Sequence, residues 1–277
     1  MNGVTGRMGT NQHLMRSIVA IREEGGLRIS DHELILPEPI LVGRNERKLQ
    51  RLSDMSGISI WTTDLDSVLH DPQYSIYFDA QTTTQRADAV KKAIQAGKHV
   101  YVEKPASYGI WEGRKMVEAA RKYNVRVQVG LQNRSIPQVM QAIKFMHDGG
   151  IGKVYLARGL CYKPRDSFGI APDGTPPESL HYDMWLGPAP YRPYNEKRVH
   201  YNWHWFWATG GGDTANQGPH QFDVARWGLN KNEHPVKIYS SGGIYGIDPK
   251  ECEQETPNTQ ASVFKYADGT ILEFETR

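Results

Sequence analysis

The stretch Ala96-Gly97-Lys98-His99-Val100-Tyr101-Val102-Glu103-Lys104-Pro105 decides the fold. Gly97 closes a helix that the spacing predicts over about 86–95, and residues 99–102 form a compact run of strand formers. Helix-like and strand-like segments alternate around it, which suggests a parallel sheet with crossover helices. Ligands bind at the carboxyl ends of the strands in such sheets, and Lys104 stands there. An ammonium in that place can hold a hydroxyl or carbonyl oxygen, or give it a proton.

Working outward, the same alternation runs from residue 1 to about 134. Leu14, Ile18 and Ile21 share a helical face, and Gly25-Gly26 ends that helix. Pro39-Ile40-Leu41-Val42-Gly43 reads as a short buried strand followed by charged residues 44–48. Residues 75–80 read as another strand, with Thr82-Thr83-Thr84 as its loop. A further helix ends near Tyr123-Asn124, and a strand covers 126–129. Beyond Arg134 the texture changes. A helix over about 137–147 stops at Gly149-Gly150, a strand follows over 153–161, and a Pro/Gly-rich stretch runs over 164–193. Such a stretch inside a compact domain is more often functional than idle. The remainder reads as strands apart from one helix near 219–228. The expected class is α/β, with a Rossmann dinucleotide-binding domain over 1–134. Residues 135–277 read as a second, strand-rich domain that holds the substrate and the chemistry.

Composition narrows the partners. A net charge of +2 in 277 residues gives no footprint for nucleic acid or an anionic membrane. The two cysteines, Cys161 and Cys252, stand far apart and outside any metal spacing, so we expect a reducing cytoplasm and neither a disulfide framework nor a metal. No apolar run reaches the length of a membrane span. Both ends read as clipped: the Gly-rich segment starts at Gly3 without room for a full strand, and the alternation of residues 270–275 stops at Arg277. An export signal further upstream is compatible with that reading.

Gly3-Val4-Thr5-Gly6-Arg7-Met8-Gly9 precedes the first helix. Glycines there allow a tight turn and close backbone approach to a pyrophosphate, which the free N–H groups of the helix start then hold. The spacing departs from G-x-G-x-x-G because Val4 occupies the first glycine position, so a plain turn is the competing reading. After the second strand, Arg44 stands where NAD sites usually carry an acid. A guanidinium suits a 2′-phosphate and points to NADP over NAD, against the plainer reading of a solvated charge run. The candidate cofactor contacts are Gly3, Gly6, Arg7, Met8, Gly9, Arg44, Thr82, Thr83, Glu103 and Lys104.

Downstream, Gly210-Gly211-Gly212-Asp213-Thr214-Ala215-Asn216-Gln217-Gly218-Pro219-His220-Gln221-Phe222-Asp223 leads into a helix. Gly218 and Pro219 suit its cap and first position, which puts His220 in the first turn. The dipole there disfavours imidazolium and keeps a neutral base; a cap or core histidine is the alternative. Trp203-His204-Trp205-Phe206-Trp207, if extended, turns its tryptophans to one face as a sugar platform, although such a stripe is more often core or interface. Lys163 and Arg165 follow the first strand of the second domain and are in place to reach a substrate or to line a solvated loop.

The AGKHV-x-x-EKP string, residues 130–134 and the glycine-rich stretch ending at Asp223 together resemble the glucose–fructose oxidoreductase / inositol dehydrogenase (Gfo/Idh/MocA) family over nearly the whole chain. The resemblance implies a Rossmann domain to about residue 134, then an α+β domain over 135–277 whose open, mainly antiparallel sheet can mediate oligomerisation. It implies hydride transfer between NADP or NAD and a secondary alcohol or carbonyl of a sugar, polyol or cyclitol, in a homo-oligomer (dimer or tetramer). It implies Lys104 polarising the oxygen, His220 exchanging its proton and Asn216 orienting the substrate. The family usually carries aspartate at position 216. That departure keeps two alternatives open: a glycosidase working through a redox cycle on bound cofactor, and a nucleotide-sensing regulator without turnover. Asp223 either orients His220 or binds a backbone group.

Overall fold

A computed structural model describes residues 1–6, 9–80, 83–187 and 189–277, and for residues 83–88 the backbone alone. The chain divides into two compact units. One comprises Met1–Val102 and Trp111–Val129; the other comprises Glu103–Ile110 and Gly130–Arg277. The EKP segment, read from sequence with the first domain, therefore packs with the second unit.

In the first unit a helix wound in wide i→i+5 turns over Gly9–Val19 continues as α1 (Ala20–Glu23). Gly25 and Gly26 end it with φ of 87° and 112°, a conformation that favours glycine. A hairpin follows, β1 (Leu27–Ser30) and β2 (Glu33–Ile35), exposed along both strands. Then come β3 (Leu41–Val42), α2 (Glu46–Ser56), β4 (Trp61–Thr62), α3 (Leu65–His70), β5 (Ile76–Phe78), α4 (Thr83–Gln95), β6 (His99–Val102), α5 (Ile110–Lys122) and β7 (Val127–Val129). Asn45 caps α2 by accepting the Lys48 N–H at 2.9 Å, and Asp64 caps α3 through Ser67.

Asn2 joins two parallel half-sheets. It bridges Val42 on one side and Asp79 on the other, so the order runs β4, β3, Asn2, β5, β6, β7. That is the strand order of the doubly wound dinucleotide fold, and its switch point lies between Asn2 and β5. The loops leaving those two strands are the glycine turn and the segment before α4. Leu14, Leu41, Leu49, Leu52 and Ile58 pack around Val4 in one apolar cluster, while Leu69, Tyr77, Ala89 and Ala93 form another. Burying each large aliphatic side chain contributes about 1.5–3 kcal/mol.

The second unit contains α6 (Pro137–His147), β8 (Leu156–Cys161), α7 (Tyr182–Leu186), α8 (Gly212–Asn216), α9 (Gly218–Gly228), β9 (Lys237–Gly243), β10 (Thr259–Lys265) and β11 (Ile271–Thr276). Its open sheet has the order β8, β11, β10, β9; β8 runs parallel to β11 and the other pairs are antiparallel. Leu272, Phe274 and Thr276 alternate inward along β11. Phe222 of α9 meets Phe264 and Phe274 there, with ring centroids 5.2 and 4.6 Å apart. Cys161 and Cys252 are both buried free thiols. Among the described residues no helix is long and apolar enough to cross a membrane.

Gly9 shows why the first turn needs glycine. A Cβ there would lie 2.9 Å from the Val4 Cα, 3.0 Å from the Gly3 carbonyl oxygen and 3.1 Å from the Ala80 Cβ. Two of those contacts are backbone, so the turn must move to admit a methyl group. Gly9→Ala is expected to lower stability by about 1–3 kcal/mol. Urea denaturation reads this as a lower midpoint, and an unchanged midpoint would show that the turn opens freely.

Candidate active site

Two lysines of the deciding stretch meet different fates. Lys98 is buried, and its Nζ donates to the Asp71 carbonyl at 2.6 Å, tying the start of β6 to the loop after α3. Lys104 lies in the second unit, where its Nζ donates to both the backbone oxygen and the Oδ1 of Asn216, at 2.7 and 3.0 Å. Burial holds the Lys104 ammonium below the ordinary lysine range. Glu103 and Asp213 oppose that shift, and Lys163 adds to it.

The glycines before α8 bring two segments together. A Cβ on Gly210 would sit 2.5 Å from the His204 Cα, so only glycine permits the approach. Gln217 has helical dihedrals, and α8 and α9 follow one another with no intervening loop. Asn216 and His220, four residues apart, thus fall on neighbouring turns. Gln217 is the cap and Gly218 the first helical residue, one place earlier than the sequence suggests, and His220 keeps its first-turn position. Its imidazole pKa is lowered by burial first and then by the Lys104 and Lys163 ammoniums, with Glu103 and Asp223 opposing. A neutral ring results. Among the described residues, neither the buried His220 Nδ1 nor the buried Asn216 Nδ2 has a hydrogen-bond partner. Buried polar atoms of this kind are where a ligand or water is expected.

Lys104, Asn216 and His220 are brought together. Lys163 joins them at the edge, where its Nζ donates to the Gln217 Oε1 at 2.9 Å. Arg165 is engaged differently: its Nε and Nη2 each donate to Asp213 at 2.7 Å, and its Nη1 donates to the Tyr201 hydroxyl at 3.1 Å. Asp223 accepts from the Arg134 Nε at 2.8 and 2.9 Å, so among the described residues its hydrogen bonds go to a guanidinium and to neither His220 nor a backbone group. In the first unit Gly3, Gly6 and Gly9 build the turn at the end of the Asn2 strand, and Arg44 is exposed just past β3. Arg7, Met8 and Thr82 lie outside the described residues, and Thr83 is the first residue of α4, described by its backbone. Glu103 belongs to the second unit with Lys104. Sequence reasoning missed Gln217 and His204. His204 is buried, with Nδ1 2.6 Å from the Tyr201 carbonyl and Nε2 without a partner among the described residues.

The tryptophan run is not extended. Residues His200–Trp205 form a 3-10 helix, because His204, Trp205 and Phe206 are all buried and a strand would turn the middle one outward. Trp205 is core, with a relative exposure of 4%, whereas Trp207 is 54% exposed.

One unit carries a doubly wound sheet with a glycine turn, and the other an open four-stranded sheet. The NAD-binding Rossmann-fold model of the Gfo/Idh/MocA oxidoreductase family matches residues 38–131, and the model of that family's C-terminal alpha/beta domain matches residues 169–275. The chain belongs to the Gfo/Idh/MocA family. D-xylose dehydrogenase of Paenarthrobacter nicotinovorans is 40% identical over 159 residues, which is 57% of this chain and 41% of that protein. scyllo-Inositol 2-dehydrogenase (NAD(+)) of Bacillus subtilis is 31% identical over 119 residues, 43% of this chain and 34% of that enzyme. A levoglucosan dehydrogenase solved with NADH and levoglucosan shares the fold with a TM-score of 0.63 at 20% identity, covering 99% of this chain and 65% of that one. These matches span less than half the length of the two curated relatives.

The division of the aromatic run into core and surface can be measured. Trp205→Ala is expected to cost about 3–5 kcal/mol of stability. Trp207→Ala is expected to stay within about 0.5 kcal/mol. Thermal denaturation of both variants checks this, and equal losses would contradict the assignment.

Proposed function

We propose that this chain transfers a hydride between a nicotinamide dinucleotide and a secondary alcohol or carbonyl of a sugar, polyol or cyclitol. The observation that carries the reading is the convergence of the Lys104 ammonium on Asn216, beside a neutral His220 whose ring nitrogen has no partner among the described residues. In the direction of oxidation, Lys104 donates a hydrogen bond to the alcohol oxygen and steadies the charge that develops on it. His220, kept neutral by burial and by Lys104, accepts the hydroxyl proton. The Asn216 amide has a donor left over and orients a neighbouring hydroxyl. A bound nicotinamide ring supplies the hydride acceptor. The crowded Gly9, where no Cβ fits, supports a turn shaped for close backbone approach by the dinucleotide phosphates. The sugar and cyclitol named for the two curated relatives support the substrate class.

The test is absorbance at 340 nm with NAD or NADP and a panel of D-xylose, scyllo-inositol and levoglucosan. Lys104→Ala and His220→Ala are each expected to lower turnover about 10²–10⁴-fold. Turnover near the parent's in either variant removes that residue from the mechanism. The pH profile carries a sign. His220 must be neutral to accept a proton, and its pKa is lowered, so the acid limb should fall below the ordinary histidine range. Lys104 must be charged, and its pKa is lowered too, so the alkaline limb should fall below the ordinary lysine range. Limbs at the free-residue positions would separate these groups from the chemistry.

Arg44, exposed past β3, is followed by Asn45, which caps α2 through its side chain. We infer a preference for NADP, with the guanidinium on the 2′-phosphate. Arg44→Asp is expected to reverse the order of affinities in a fluorescence titration of the two cofactors. NAD bound more tightly by the parent would contradict it.

A further inference from the structure

We propose that Arg165 and Asp213 form a positioning pair: it holds helix α8, and through Asn216 the Lys104 ammonium, while the Asp213 carboxylate serves as the buried counter-charge of the site. The proposal rests on the oxidoreductase reading for its catalytic consequence but not for its geometry. The Asp213 side chain has no exposed surface, and a carboxylate so placed needs a partner with ideal geometry. Arg165 supplies it as a fork, Nε to one oxygen and Nη2 to the other, both at 2.7 Å. A point-charged ammonium cannot copy that bidentate grip. The third guanidinium nitrogen goes to the Tyr201 hydroxyl, and the guanidinium carbon lies 6.0 and 5.8 Å from the Tyr201 and Trp205 ring centroids. Arg165 is thereby immobilised from three sides and presents no nitrogen free of a protein partner.

The consequence passes along one turn of helix. Asp213 precedes Asn216 by three residues, and its carbonyl accepts the Gln217 N–H at 2.8 Å. Fixing the Asp213 side chain fixes the rotation of α8 and hence both oxygens that receive Lys104. Asn216 brings no charge to that ammonium. The charged and titratable groups that act on Lys104, or feel it, are Glu103, Asp213, Lys163, His204 and His220. Asp213 is the buried acid among them.

The experiment reads Lys104 directly. Trace acetylation across pH, with peptide mass spectrometry, gives the titration midpoint of the Lys104 amine without any substrate. Asp213→Asn is expected to move that midpoint to lower pH, since it removes an attraction to the ammonium. Arg165→Met/Asp213→Leu buries no lone charge and is expected to fold with the midpoint also lowered. Arg165→Lys, which keeps the charge but not the fork, is expected to leave the midpoint near the parent's while kcat falls about 10²-fold through misplacement. Midpoints unchanged in Asp213→Asn and in the double variant, with circular dichroism like the parent's, would overturn the proposal and leave the pair a structural staple. A parent that turns over none of the sugars while these midpoints shift as stated would sink the oxidoreductase reading and sustain the pair.

Discussion

An ammonium or carboxylate withdrawn from water must find opposite charge or hydrogen bonds, and this requirement shapes the chain at each place where function is sought. Lys98 meets it with the Asp71 carbonyl, which ties the start of β6 to the loop after α3. Lys104 meets it with two oxygens of Asn216, and the segment Glu103–Ile110 packs with the second unit. Asp213 meets it with Arg165. The same short motif therefore contributes two lysines with different partners, one within each unit.

Backbone groups obey the same rule in the first unit. Asn2 donates to the Phe78 carbonyl and its own carbonyl accepts the Ala80 N–H, while the Gly3 N–H donates to Val42. With those bonds a parallel pair and a parallel three-stranded sheet become one sheet, and the turn that begins at Gly3 starts at the carboxyl end of its central strand. The Asn2 side chain continues the network, since its Nδ2 donates to the Tyr77 hydroxyl, which in turn donates to the buried Asp79. These polar groups beneath the sheet's switch point are thus satisfied within the unit.

In the second unit, satisfaction is incomplete by contrast. Asn216 Nδ2, His220 Nδ1 and His204 Nε2 are buried with no partner among the described residues, all close to the Lys104 contact in sequence or in electrostatic reach. Surrounding groups hold the imidazoles neutral through burial, and Lys104 works in the same direction on both. Lys104 and Lys163 meet neutral amide oxygens here, and the idle neutral donors and acceptors are where a ligand or water is expected to bond.

Much of this was legible from residues alone. The helix over Pro137–His147, the strand after Gly97 and the first-turn place of His220 followed from glycines, prolines and periodicity, because those signals are local. The hairpin β1–β2 escaped notice, since both strands are exposed and carry no inward alternation. The tryptophan run reads more often as core or interface, and Trp205 is core; its 3-10 turn, with three consecutive residues buried, is what period-two reasoning cannot represent. Lys104, Asn216 and His220 could each be named from sequence, and Lys163 and Arg165 looked alike as cations after one strand. Only the folded chain told them apart. It set Lys163 against Gln217 and spent Arg165 on a fully buried acid 48 residues away, and a pairing at that distance is fixed by which charge the core encloses, a quantity no local pattern carries.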